Sequence, residues 1–81
     1  DISALSGLTN LTRLRLTSNS ISDISHISVA NIPNLSSLSI EDNNMNIDFD
    51  TPNTNGTVVR DHINNGCTVD YETGNTVTGT P

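Results

Sequence analysis

Aromatic side chains are almost missing from this chain: Phe49 and Tyr71 are the only two, and tryptophan is absent. That scarcity argues against a strong aromatic hot spot for a partner and against a stacking platform for sugars. Lysine is missing too, and three arginines face nine acidic residues for a net charge of −6. Such a balance excludes the basic footprint that nucleic acid or an anionic membrane surface requires. No apolar run approaches the ~18 residues of a membrane-spanning helix, so no membrane insertion is expected. A single cysteine, Cys67, leaves no disulfide within the chain and no reading of redox compartment. Eighty-one residues bound the chain to one small domain with a thin core.

Small polar residues fill the space instead: 12 Asn, 11 Thr and 10 Ser make two residues in five. That composition suits disorder, but regularly spaced Leu and Ile oppose it through about residue 47. The strongest regularity is Leu11–Asn19, LTRLRLTSN, which returns as Leu35–Asn43, LSSLSIEDN. Leu11, Leu14, Leu16 and Asn19 map onto Leu35, Leu38, Ile40 and Asn43, each displaced by 24 residues. The preceding segment repeats as well. Asp1-Ile2-Ser3 aligns with Asp23-Ile24-Ser25, Leu5 with Ile27, Leu8 with Ile32 and Asn10 with Asn34. The basic period is thus 22 residues, stretched to 24 by an insertion around Val29–Asn31. A unit this short cannot bury its apolar side alone, so neighbouring units must stack on one another.

Residues 13–17 and 37–41 alternate apolar and polar, the pattern of a half-buried strand. Leu14, Leu16, Leu38 and Ile40 are expected inside. The strands must run parallel, because each unit repeats in the same sense. Asn19 and Asn43 stand where the chain leaves the sheet, where an amide can satisfy backbone groups of adjacent turns. The return, residues 20–34, is too rich in Ser and Asn for a full helix. It predicts extended chain with short 3-10 structure and one helical turn near Val29–Ile32, ended by Pro33. Met45, Ile47 and Phe49 alternate as a further short extended piece. Turn chemistry follows over residues 50–56, then a helix over about 56–65 with Thr54 or Asn55 as N-cap and Gly66 at its end. Cys67, Val69 and Tyr71 predict a last strand, and residues 73–81 a linker or frayed tail.

Ile21-Ser22-Asp23-Ile24-Ser25 and Leu8-Thr9-Asn10-Leu11-Thr12-Arg13-Leu14-Arg15-Leu16 resemble phrases of bacterial leucine-rich-repeat proteins, in the internalin-like 22-residue class. Asp50-Thr51-Pro52, Val58-Val59-Arg60 and Gly66-Cys67-Thr68-Val69-Asp70-Tyr71 resemble the helix-plus-strand terminal cap of such proteins. The resemblance implies an α/β leucine-rich-repeat solenoid with a curved parallel sheet and a short 3-10 or extended convex side. Repeats would span 1–49, the cap 50–72 and the tail 73–81. It further implies recognition of a protein or glycan by part of a larger secreted or cell-surface protein.

The outward stripe would be Arg13, Arg15 and Thr17, then Ser37, Ser39 and Glu41, then Thr68, Asp70 and Glu72. Two readings stand: a ligand-binding concave face, or a merely solvated one whose charges pair for little energy. The N-terminal units lack a cap, so Ile2, Leu5, Leu8, Leu11 and Leu14 are expected to face water unless upstream repeats or another chain cover them. This edge supports the alternative function, self-assembly through the open end.

Asp48, Asp50, Asn53, Asn55 and Asp61 are oxygen-rich, but their spacing departs from calcium loops and reads as turn formation, so no metal site is assigned. His26 beside Asp23, His62 beside Asp61, and Cys67 carry no nucleophile–base signature, and no enzyme or cofactor is expected. Cys67 is placed inward, His26 on the convex return and His62 on the outer side of the cap helix. The sequons at Asn10, Asn34 and Asn55 include two equivalent repeat positions, which one motif explains.

Overall fold

The computed structural model describes residues 2–81. Three strands, β1 (Arg13–Arg15), β2 (Ser37–Ser39) and β4 (Thr68–Asp70), form a parallel sheet in the order β1-β2-β4. The register sets Arg13 beside Ser37 beside Thr68, Leu14 beside Leu38 beside Val69, and Arg15 beside Ser39 beside Asp70. Each strand is reached by its own helical segment. The 3-10 turn Ser3–Leu5 precedes β1, the 3-10 turn Ser25–Ile27 precedes β2, and helix α1 (Thr54–Asn64) precedes β4. The chain therefore makes three stacked passes. In the second return the Ile32 N–H reaches the Ser28 carbonyl at 2.9 Å, which supplies the single helical turn expected there.

The middle pass is sealed. Ile24, Ile27, Ile32, Leu38, Ile40, Met45 and Ile47 are all fully buried, because a pass lies on either side of each. The outer passes are covered on one side only. Leu5, Leu11, Leu14 and Leu16 at one end, and Ile63, Val69, Tyr71 and Val77 at the other, are half-buried. Leu8 remains 44% exposed. Ile2 departs from the expected open apolar end, because it packs into the core and is 8% exposed.

Residues 73–81 do not form a free tail throughout. Thr76–Thr78 is β5, paired in parallel with β3 (Asn46–Asp48) as a second, two-stranded sheet. The short piece around Met45, Ile47 and Phe49 thus gains a strand neighbour from the third pass. Helix α1 starts two residues earlier than the turn chemistry suggested, and its N-cap is Asn53 rather than Thr54 or Asn55. The Asn53 side chain accepts from the Gly56 N–H at 2.8 Å and donates to the Asn46 carbonyl at 2.9 Å. One amide therefore caps the helix and ties it to β3. Gly66 follows the C-cap with φ +87°, a conformation that glycine adopts at little cost.

Asparagine amides clip the passes together. Asn43 is buried; its Oδ1 accepts the Asn19 and Ile21 N–H groups at 2.9 and 3.0 Å. Its amide nitrogen donates toward the carbonyls of Leu16, Ile40 and Glu41 at 2.9, 2.9 and 3.1 Å. Asn75 repeats the arrangement one pass later. It accepts from the Asn43 and Met45 N–H groups at 3.3 and 2.9 Å and donates to the Ile40 and Tyr71 carbonyls. The residue before each clip, Ser18, Asp42 or Gly74, has φ of 60°, 57° or 71°. That left-handed step turns the chain so the following amide points inward. Asn55 adds a clip on the other side, accepting from the Ile24 N–H at 3.0 Å and donating to the Ser22 and Asn46 carbonyls.

Candidate recognition face

Alternation within three parallel, in-register strands aligns every second side chain into a row. Arg13, Ser37 and Thr68 form one row, and Arg15, Ser39 and Asp70 the next. Thr17 and Glu41 continue the face where β1 and β2 end. Arg13, Arg15, Thr68 and Asp70 are exposed, whereas Thr17, Ser37, Ser39 and Glu41 are half-buried. Eight of the nine positions of the outward stripe thus lie on one side of one sheet or at its immediate edge; the ninth, Glu72, is exposed beyond the end of β4.

The face carries a charge gradient. Adjacent strands lie ~4.8 Å apart, so Arg15 and Asp70 are separated by about two strand spacings, too far for direct pairing. Between them Ser39 donates its hydroxyl to an Asp70 carboxylate oxygen at a long 3.4 Å. Among the described residues neither Arg13 nor Arg15 has a hydrogen-bond or ion-pair partner. Two guanidiniums thus stand ready for an external carboxylate, with small hydroxyl side chains between them and the acidic strand.

Of the other candidates, Asp48, Asp50 and Asn53 meet in the turn before α1, where they bond to one another. Asp48 accepts from the N–H groups of Asp50 and Thr51 and from the Thr51 hydroxyl. That hydroxyl, foremost, holds its carboxyl below the usual range. Asn53 and Asn55 are spent on the helix cap and the clip, and Asp61 lies on the exposed side of α1. Among the described residues no group of three or more His, Cys, Asp or Glu side chains is placed to hold a metal. Cys67 is buried, and burial pushes its thiol up, away from the thiolate a nucleophile needs.

His62 reverses its expected placement. It is fully buried on the inner side of α1, with Nε2 2.6 Å from the Ile27 carbonyl and Nδ1 without a partner. The ring fastens α1 to the second pass, in the manner of the asparagine clips. His26 is half-buried on the 3-10 turn Ser25–Ile27. The Asp23 carboxylate beside it accepts from the Ser25 N–H at 2.8 Å, which holds its carboxyl low.

Asn75 is the residue that sequence reasoning missed, and Asn55, expected as an N-cap, is a clip between passes instead. Asn75 is hidden because one extra residue between Tyr71 and Gly74 lengthens the interval: Val69 and Tyr71 lead to Asn75, where Leu14 and Leu16 lead to Asn19. No repeat signal marks Asn55.

A stack of in-register parallel strands, each closed by an asparagine, defines a repeat protein. The leucine rich repeat family model matches residues 1–45. This is more than half of the chain, which therefore belongs to the leucine-rich-repeat family. Domains of this family commonly mediate protein recognition and are typically non-enzymatic. No curated protein and no solved structure matches the chain. No helix among the described residues is long and apolar enough to cross a membrane.

Proposed function

We propose that this chain is a recognition module whose ligand-binding surface is the outer face of the β1-β2-β4 sheet. The observation that carries the reading is the alignment of Arg13 and Arg15, both unpaired among the described residues, beside the hydroxyl rows of Ser37, Ser39 and Thr68. Two forked cations on a backbone held by clips select a carboxylate-bearing surface, so an acidic protein segment is the favoured ligand. An acidic glycan is the second choice, since neither Phe49 nor Tyr71 lies on this face to stack a sugar. The resemblance to internalin-like repeats adds the setting: part of a larger bacterial protein, secreted or displayed at the cell surface.

The test is charge reversal on the face. Proteins captured by the immobilised wild-type chain should be lost by the Arg13→Glu/Arg15→Glu variant, with affinity falling about a hundredfold or more. Both side chains are exposed, so the thermal melt should stay near that of the wild type. Retention of the same proteins by a folded double variant would refute the assignment.

A further inference from the structure

We propose that Asn65 is a site of spontaneous covalent modification, converting to aspartate and isoaspartate, and that the conversion loosens the junction between α1 and β4. Asparagine is a chemically labile residue, most of all before glycine, which has no side chain to hinder attack by its own backbone nitrogen. The chain holds two such pairs, Asn55-Gly56 and Asn65-Gly66. The fold treats them in opposite ways.

Asn55 is buried and its amide is held at both ends. Its Oδ1 accepts from the Ile24 N–H, and its Nδ2 donates to the Ser22 and Asn46 carbonyls. Gly56 lies in the first turn of α1, with its N–H on the Asn53 Oδ1 at 2.8 Å and the Asp48 carbonyl pressed against it. Asn65 and Gly66 are exposed at the other end of the helix. The Asn65 Nδ2 donates to the Pro33 carbonyl at 2.9 Å, and the space beside Gly66 is open. The Gly66 N–H is held by the Ile63 carbonyl at 3.1 Å, a last-turn bond of the kind that frays. At the observed Asn65 ψ of 13° the Gly66 nitrogen does not face Cγ, so reaction follows the opening of that bond.

Once the turn opens, the Gly66 nitrogen attacks the Asn65 Cγ. A bond forms between them, the Cγ–Nδ2 bond breaks, and the Gly66 amide proton leaves with Nδ2 as ammonia. Water then opens the cyclic imide. Addition at Cγ leaves aspartate; addition at the main-chain carbonyl carbon leaves isoaspartate, with the chain routed through Cγ. Water is the only co-reactant, and nothing is oxidised or reduced. Either product replaces a donor by a carboxylate, which cannot serve the Pro33 carbonyl and stands at the negative end of the α1 dipole. Isoaspartate also adds a methylene to the main chain three residues before Thr68, where β4 begins its register with β2.

Peptide mapping by mass spectrometry tests this on the folded chain held in mildly alkaline buffer, with the urea-unfolded chain alongside. Unfolded, both sites should convert at similar rates. Folded, residue 65 should gain one mass unit and split into two products, while residue 55 lags about tenfold or more. The converted fraction carries an added negative charge and separates by ion exchange. In it the amides of Thr68–Asp70 should exchange with solvent about threefold faster or more, with those of Ser25–Ile27 unchanged. Residue 65 intact in a folded chain whose unfolded form converts, equal folded-state rates at the two sites, or unaltered β4 exchange in the converted fraction would each overturn the proposal.

Discussion

Asn43→Ala should lower unfolding free energy by about 3–5 kcal/mol, a large share of the stability of a domain this small. The substitution removes one acceptor and two donors from a buried turn where water has little access. Two N–H groups, of Asn19 and Ile21, lose their acceptor, and the carbonyls of Leu16, Ile40 and Glu41 lose their donor. An unmade buried bond costs about 1–3 kcal/mol, more than a made one gains, so several lost together outweigh the small deleted volume. A domain of this size holds only about 4–12 kcal/mol in total. The equivalent residue one pass earlier is the control. Asn19 is exposed and donates only to its own turn, at the Thr17 carbonyl, so Asn19→Ala should cost under about 1 kcal/mol in dilute solution. Urea unfolding followed by circular dichroism checks both. Equal losses would mean that the clip stabilises by local turn formation rather than by joining passes.

Gly56→Ala should destabilise by about 2–4 kcal/mol, against the usual sign for a glycine inside a helix. Alanine elsewhere in a helix gains up to about 1 kcal/mol over glycine. Here α1 presses on β3: a methyl at Gly56 would overlap the Asp48 carbonyl and stand 3.3 Å from the Asn53 Oδ1 that caps the helix. Both neighbours are committed, since the Asp48 carbonyl accepts the Asn53 N–H at 3.2 Å. The helix must therefore withdraw from the strand, disturbing the seating of Val59, His62 and Asn55 as well. Gly66→Ala is the contrast. That glycine has positive φ but open space around it, so only backbone strain of about 1 kcal/mol applies. Thermal melts of the two variants should separate clearly, with Gly56→Ala the lower. The reverse order would show that α1 does not rest on β3.

The parallel sheet and its inward residues were legible because leucine spacing reports directly on which side of a strand is buried. Leu14, Leu38 and Ile40 needed no more than alternation, and the face opposite them followed by elimination. The third pass was harder to read. Its strand core is Cys67, Val69 and Tyr71 rather than leucine, and one extra residue between Tyr71 and Gly74 shifts its clip, so Thr76–Thr78 looked like a tail. His62 was misplaced for a physical reason: α1 turns Val58, Val59 and His62 inward together, and a polar ring is buried there because the Ile27 carbonyl is available to it. Such a partner lies 35 residues away and leaves no local signal. The candidate face was legible as positions. Its lack of internal ion pairs was not, because it depends on strand order and spacing.

Titrating a captured partner into the nitrogen-15-labelled chain, and following each backbone amide by NMR, tests the recognition face most directly. Shifts should concentrate at residues 13–17, 37–41 and 68–70, while Ser25–Ile27 and α1 stay unmoved. Perturbations centred on that turn and helix, with residues 13–17 silent, would contradict the account.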